Sequence, residues 1–362
     1  MRELLNGRIE PGKGPVFWIV GALLVIGMLF LPGLVGRYTL LNFNSFLLMV
    51  FLATGLALLW GFCGVLSLGQ SAFFGIGGYA YGIVAINLAD SPWASLAGVA
   101  GGIVAAVVFA ALLGWLTFYG HLRGVYVSIV TLVVTLVIES FLNQTAGPQW
   151  KIGTAHLGGN NGLGRFSGAA ENIPSLTIPT GGGNSLVISG SSPTFYYVLI
   201  GLIVFTYLLL RALVNSRFGV ALAAVREDPD RAETLGYDIR LLQSMTFCIG
   251  AALAAMSGLL YVAWGNFITP SVFGVTANVL PVIWVAVAGR KSLAAAILGA
   301  VVLQWGAQQL AISGGEWALI VQGALLVLVV LLLPEGLLSL RQQFSRMRDV
   351  RSSSLKSQSR QG

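Results

Sequence analysis

The densest chemistry in this chain is the charged block Ala224-Val-Arg-Glu-Asp-Pro-Asp-Arg-Ala-Glu-Thr-Leu-Gly-Tyr-Asp238. Asp228 or Asp230 can accept the free N–H groups that open a helix. Pro229 suits the first turn and Gly236 suits the stop. The spacing predicts a short helix that projects Arg226, Glu227, Asp230, Arg231 and Glu233 into water. Such a surface suits a protein partner, the alternative being a generic charged loop. A second constellation is Ser128, Thr131, Thr135, Glu139 and Asn143, spaced three, four, four and four, so all share one helical face. It reads as a polar seam facing a pathway, or as hydroxyls bonded to their own helix with Glu139 at a water interface. A third is the stretch Gly64-Val-Leu-Ser-Leu-Gly-Gln-Ser71, followed by Gly75, Gly77, Gly78 and Gly82. Glycine costs about 1 kcal/mol in a helix interior, so this density needs a reason. Close packing through the Gly78/Gly82 pair is one. The other is a broken helix whose freed backbone lines a cavity, with Ser67, Gln70 and Ser71 at the break.

These groups need elements to hold them, and the composition says what kind. Hydrophobic residues make up 56% of the 362 residues and charged residues only 9%, which no ordinary soluble domain shows. Ten apolar stretches each suit a helical crossing of about 20 residues: Val16–Val35, Asn44–Cys63, Gly64–Leu88, Trp93–Tyr119, Gly124–Asn143, Phe195–Val214, Leu241–Ala263, Ala277–Gly289, Leu293–Ile312 and Trp317–Leu338. With the N-terminus in the cytoplasm, His121, Arg123, the Asn215–Arg240 loop, Arg290, Lys291 and the tail from Arg341 all fall inside. Only Arg37, Lys151 and Arg165 of the 20 Lys and Arg residues fall outside, the asymmetry that the positive-inside rule requires. The first span is too long for a signal-peptide core and reads as a retained anchor.

The expected organisation is a cytoplasmic N-terminus (1–15), a first membrane half (16–143), an outer loop (144–194), a second half (195–338) with its cytoplasmic loop at 215–240, and a basic tail (339–362). Five spans per half would set the halves in opposite orientations, an inverted-repeat transporter plan. The fold class is thus all-α and polytopic. The net charge of +7 sits largely in the tail, where it flanks the last span or meets anionic lipid, and is no nucleic-acid footprint.

Several chemistries are missing. Cys63 and Cys248 lie in apolar spans and suggest neither disulfide nor metal. His121 and His156 belong to no zinc-hydrolase or serine-hydrolase motif, and Gly289-Arg-Lys-Ser292 has the wrong spacing for a P-loop. Gly75-Ile-Gly77 opens a partial nucleotide-binding pattern with no strand before it. The reading is a transport subunit, not an enzyme, with no cofactor of its own. An ion-coupled secondary transporter is the rival, although Glu139 is the one acid well inside a span and lacks an obvious partner.

Arg226-Glu-Asp228, Ala232 and Leu235-Gly236 together resemble the cytoplasmic coupling loop of permease subunits of bacterial branched-chain amino acid and urea ABC importers. Leu66-Ser-Leu-Gly-Gln-Ser-Ala-Phe-Phe-Gly-Ile-Gly77 and Arg123-Gly-Val-Tyr126 are similar to further signatures of that family, and the likeness runs from Leu41 to Gly336. The late Gly289-Arg290-Lys291 departs from the family's paired glycines. Gly158-Gly-Asn-Asn-Gly-Leu163 and Val282-Ile-Trp-Val-Ala-Val287 lean toward its urea and short-amide branch. The resemblance implies an inner-membrane permease that binds no ATP itself and moves a small neutral or zwitterionic solute. It implies cytoplasmic ATP-binding subunits, a second homologous permease, a periplasmic solute-binding protein and surrounding lipid as partners. Arg226, Glu227, Asp228, Asp230, Arg231, Ala232, Leu235 and Gly236 would couple to the ATPase. Ser67, Gln70, Ser71, Ser128, Thr131, Thr135 and Glu139 would line the pathway.

Overall fold

The computed structural model describes residues 9–12, 14–164, 173–181 and 184–314, with scattered positions up to 328. It is a helical membrane bundle. Among the described residues, seven helices are long and apolar enough to cross a bilayer: α1 (Pro15–Leu34), α2 (Arg37–Leu56, continued as a π-helix to Phe62), α4 (Ala94–Gly114, continued as a π-helix to Tyr119), α5 (Val125–Asn143), α6 (Pro193–Asn215), α9 (Ile239–Gly265) and α11 (Leu293–Gly314). Two less apolar or shorter helices pack among them, α3 (Gln70–Asn87) and α10 (Val275–Ala288). The tenth expected span, 317–338, falls largely outside the described residues, as do Arg165 and the tail 339–362.

Two boundaries differ from the sequence reading. The second span starts at Arg37, with Gly36 as its N-cap accepting from the Leu40 N–H at 3.0 Å, and Thr39 and Asn42 lie within its first turns. The third starts at Gln70 rather than Gly64, and residues 63–69 form a non-helical connector. The Asn215–Arg240 loop holds two helices, α7 (Arg217–Glu227) and α8 (Pro229–Thr234). The 144–194 stretch carries short antiparallel pairings: β1 (Lys151–Ile152) with β2 (Ala155–His156), and β4 (Leu176–Gly181) with β5 (Asn184–Ile188). There β3 (Leu163–Gly164) also pairs with β6 (Phe267–Ile268), the start of the loop after α9.

Helix α9 runs through the middle, packed on α2, α3 and α4. Small residues allow this. A Cβ on Gly77 of α3 would lie 2.6 Å from the Ala255 Cα of α9, so the two backbones touch where any larger residue would part them. Ser257 Oγ of α9 donates to the Leu48 carbonyl of α2 at 2.7 Å. The outer faces stay apolar. Val16, Phe30 and Leu34 of α1 are 70, 67 and 81% exposed, a surface that only lipid or another membrane protein would cover.

The connections sort into two ends. One end carries Arg123, the α7–α8 loop and Arg290, and is called the basic end below; the other carries the β pairings and the Asn44 Nδ2 to Gly190 carbonyl bond of 3.0 Å.

Candidate functional site

The loop at the basic end is built as its residues dictate. Asp228 caps α8 by accepting from the Arg231 N–H at 3.0 Å, Pro229 is the first helical residue, and Gly236 takes the left-handed backbone (φ +86°) that ends the turn. Ala232 is the buried contact of α8. Leu235 beside it is 71% exposed, and Glu233 and Tyr237 are exposed as well. Asp230 pairs with Arg123 of the neighbouring loop at 3.0 Å, between two exposed side chains, a bond that fixes position more than it stabilises.

Arg226 roots this loop in the membrane bundle. Its Nη1 donates to the Gly61 carbonyl, in the π-helical end of α2, at 2.7 Å. The π-helix leaves such carbonyls less completely paired than an α-helix does, and a guanidinium can reach one. Arg226 also pairs with Glu227 at 2.6 Å, and that hydrogen bond and charge hold the Glu227 carboxyl below the usual range. Gly64 packs directly against the stem of Arg226.

From Gly64 the chain runs as non-helical backbone beside α5. Non-helical backbone in a bilayer needs a partner for each N–H and C=O. The Ser128 Oγ donates to the Leu66 carbonyl at 2.7 Å, the Val65 N–H reaches the Leu59 carbonyl at 3.1 Å, and the Gly69 N–H reaches the Ser67 Oγ at 3.2 Å. Gly69 must be glycine, since a Cβ would sit 2.5 Å from the Thr131 carbonyl oxygen. The break and the stripe, read separately from sequence, are therefore one seam.

Within that seam the predicted residues differ. Thr131 and Thr135 are buried and donate to carbonyls of their own helix, at 2.9 Å to Val127 and 2.8 Å to Thr131. Ser71 donates to the Asn278 Oδ1 of α10, whose Nδ2 in turn reaches the Phe273 and Gly274 carbonyls at 3.0 Å each. Glu139 is half-buried near Gly274, and Asn143 is the last residue of α5. Gln70 is 2% exposed, and neither its Nε2 nor its Oε1 has a partner. A buried amide with four unmade hydrogen bonds is costly, and water or a polar guest would relieve it.

Sequence reasoning missed Asn278. The signal was there: an amide one turn into an apolar helix, three residues before Pro281. It also missed Arg211, 0% exposed near the end of α6, with its Nη1 2.8 Å from the Tyr207 hydroxyl. A cavity of about 270 Å³ opens beside the loop, lined by Phe118, His121, Arg123, Glu233, Asp238 and Arg240 among others. Among the described residues no cluster of His, Cys, Asp and Glu could hold a metal.

A family model described as branched-chain amino acid transport system / permease component matches residues 38–330. The high-affinity branched-chain amino acid transport system permease protein LivM of Escherichia coli (strain K12) is 29% identical over 322 residues, 88% of this chain and 73% of that protein. The corresponding LivH of Salmonella typhimurium is 26% identical over 301 residues, 79% of this chain and 90% of its own. BraD of Pseudomonas aeruginosa is 31% identical over 163 residues, 43% of this chain and 50% of its own. No solved structure matches significantly.

Proposed function

The chain belongs to the branched-chain amino acid transport permease family, and we propose that it is the membrane subunit of an ABC importer working by alternating access. Separate cytoplasmic ATP-binding subunits drive it, a second homologous permease completes the channel, and a periplasmic protein delivers the solute. The basic end faces the cytoplasm of a bacterial inner membrane, with both termini on that side. One observation carries this reading. The short helix α8 presents an exposed Leu235, while Arg226 ties its root to the Gly61 carbonyl inside the bundle at 2.7 Å. A helix lying in a groove of a moving partner would transmit that motion to α2 and, through Leu66 and Ser128, to α5.

Apart from the half-buried Glu139, the seam lining is neutral. Hydroxyls and the Gln70 and Asn278 amides suit a small zwitterion or neutral solute, since a lone ion would need a compensating charge at that depth. The names of the relatives point to a branched-chain amino acid. Urea or a short amide is the second reading, favoured by the Gly158–Leu163 and Val282–Arg290 sequences and by the unpaired amide of Gln70. Uptake of labelled leucine and labelled urea in cells with and without the gene decides between them. Uptake that follows the proton gradient and survives ATP depletion would leave the ion-coupled reading in place of this one. Gly236→Val, which forces a β-branched residue into the φ +86° position, should lower uptake while the complex still assembles. Periplasmic labelling of a cysteine at Asn160 tests the orientation.

A further inference from the structure

The start of the chain is more than a tail. Glu10 is 1% exposed, and its Oε1 accepts from the Ser292 Oγ at 3.1 Å, the Leu293 N–H at 2.9 Å and the Ala294 N–H at 3.4 Å. It therefore caps α11 from 283 residues away. The first N–H groups of a helix have no partner in the helix and carry partial positive charge, so a carboxyl oxygen there is well placed. The same segment is held from behind. The Asn215 Oδ1 accepts from the Ile9 and Glu10 N–H groups at 3.1 and 3.3 Å, and the Arg211 Nη2 donates to the Gly12 carbonyl at 2.6 Å. The Arg211 guanidinium also lies 4.7 Å from the Phe17 ring centroid and 5.2 Å from that of Trp18.

These contacts close a ring. Asn215 ends α6 and leads through Ser216 into α7, whose last turn carries Arg226. Arg226 holds the Gly61 carbonyl, and a Cβ on Gly61 would overlap the carbonyl of Arg290. Arg290 lies in the break that Ser292 ends, its guanidinium 5.5 Å from the Trp60 ring. Ser292 returns to Glu10. Each link is a hydrogen bond, a covalent turn or a backbone contact that cannot lengthen without breaking.

We propose that residues 9–12 and 14–17 form a strap on which Glu10 is a positioning residue for transport. The strap keeps the root of the α7–α8 loop and the start of α11 in one register, so that motion imposed on α8 shifts α11 as well. The proposal rests on the importer reading. Without the cap, α7 could tilt while α11 stayed in place, and ATP would be hydrolysed without movement of solute.

The test uses the assembled transporter in proteoliposomes and reads solute taken up per ATP hydrolysed. Losing this buried set of hydrogen bonds should lower that ratio about fivefold or more in Glu10→Ala with hydrolysis retained, while Glu10→Gln, whose amide oxygen still accepts, stays within about twofold of the parent. A parental ratio in Glu10→Ala overturns the proposal. A second measurement covers the case in which that variant does not accumulate. In a chain with Cys63 and Cys248 replaced, Glu10→Cys with Ser292→Cys should form a disulfide on mild oxidation, and uptake should continue with it closed. No disulfide, or uptake lost on closing it and restored on reduction, means the strap is absent or must open. Uptake independent of the ATPase subunits refutes the importer reading alone, and the disulfide still reports on the strap.

Discussion

The bundle is interrupted at residues 63–69 and again at residues 289–292, and the two breaks are sealed by different chemistry. The first rises beside α5 and is closed by neutral groups, with Ser128 on the Leu66 carbonyl and Ser67 on the Gly69 N–H. The second lies at the basic end and is closed by a carboxyl from the far end of the chain, with an arginine close by. Free backbone must be satisfied in both places, but ionisable groups are expensive at depth and tolerable at the water's edge. Charge and pH should therefore act on the second break and not on the Ser128–Leu66 bond of the first.

Where the breaks meet, the largest effect is expected. Gly61→Val would drive a branched side chain into the Arg290 carbonyl, an overpacking cost above about 3 kcal/mol that should abolish recovery of folded protein. Gly201→Val, with nothing within 4 Å of its Cβ, is the control and should be recovered normally.

The pH dependence comes next and separates the breaks cleanly. Burial raises the Glu10 carboxyl from 4.5 to about 7, against the opposing effects of its hydrogen bonds and of Arg211; Tyr207 is the other titratable group that faces it from α6. A carboxyl raised on folding favours the folded state fully below pH 4.5, and that advantage fades as the pH rises through about 7, a change on the order of 3 kcal/mol. Thermal midpoints in detergent should fall across that window for the parent relative to Glu10→Gln. Parallel curves would show that Glu10 does not titrate there. Ser128→Ala probes the first break, leaving the Leu66 carbonyl without its donor at a cost of about 1–2 kcal/mol, with no pH dependence between 4 and 8. The smallest effect belongs outside both breaks. Asp228→Ala removes the α8 cap, worth about 1 kcal/mol locally. Protease nicking near Gly236 should quicken while the global midpoint holds.

What could be read in the sequence follows from how far each residue reaches. Asp228, Pro229 and Gly236 act within a few residues of themselves, so their turn was legible from spacing alone. The face shared by Ser128, Thr131 and Thr135 was legible too, because helical geometry is local. What that face meets was not, since the Leu66 carbonyl is 62 residues away. In the sequence Glu10 falls in the expected cytoplasmic N-terminus and Arg211 inside the expected span Phe195–Val214, and neither stands out. Only contacts some 200 to 280 residues distant give them their roles. The first and third spans show the same divide. The apolar run of α1 was visible in full, whereas the late start of α3 depends on tertiary partners for an unpaired backbone.

The distance between Glu10 and Leu293 also has a meaning in time. At a synthesis rate of about 5–20 residues per second, the acid leaves the ribosome roughly 15–60 s before the helix it caps. Until then the segment around Glu10 has only the contacts that Arg211 and Asn215 give it. The Glu10 cap thus forms only after translation has passed residue 293, on a segment already held at α6.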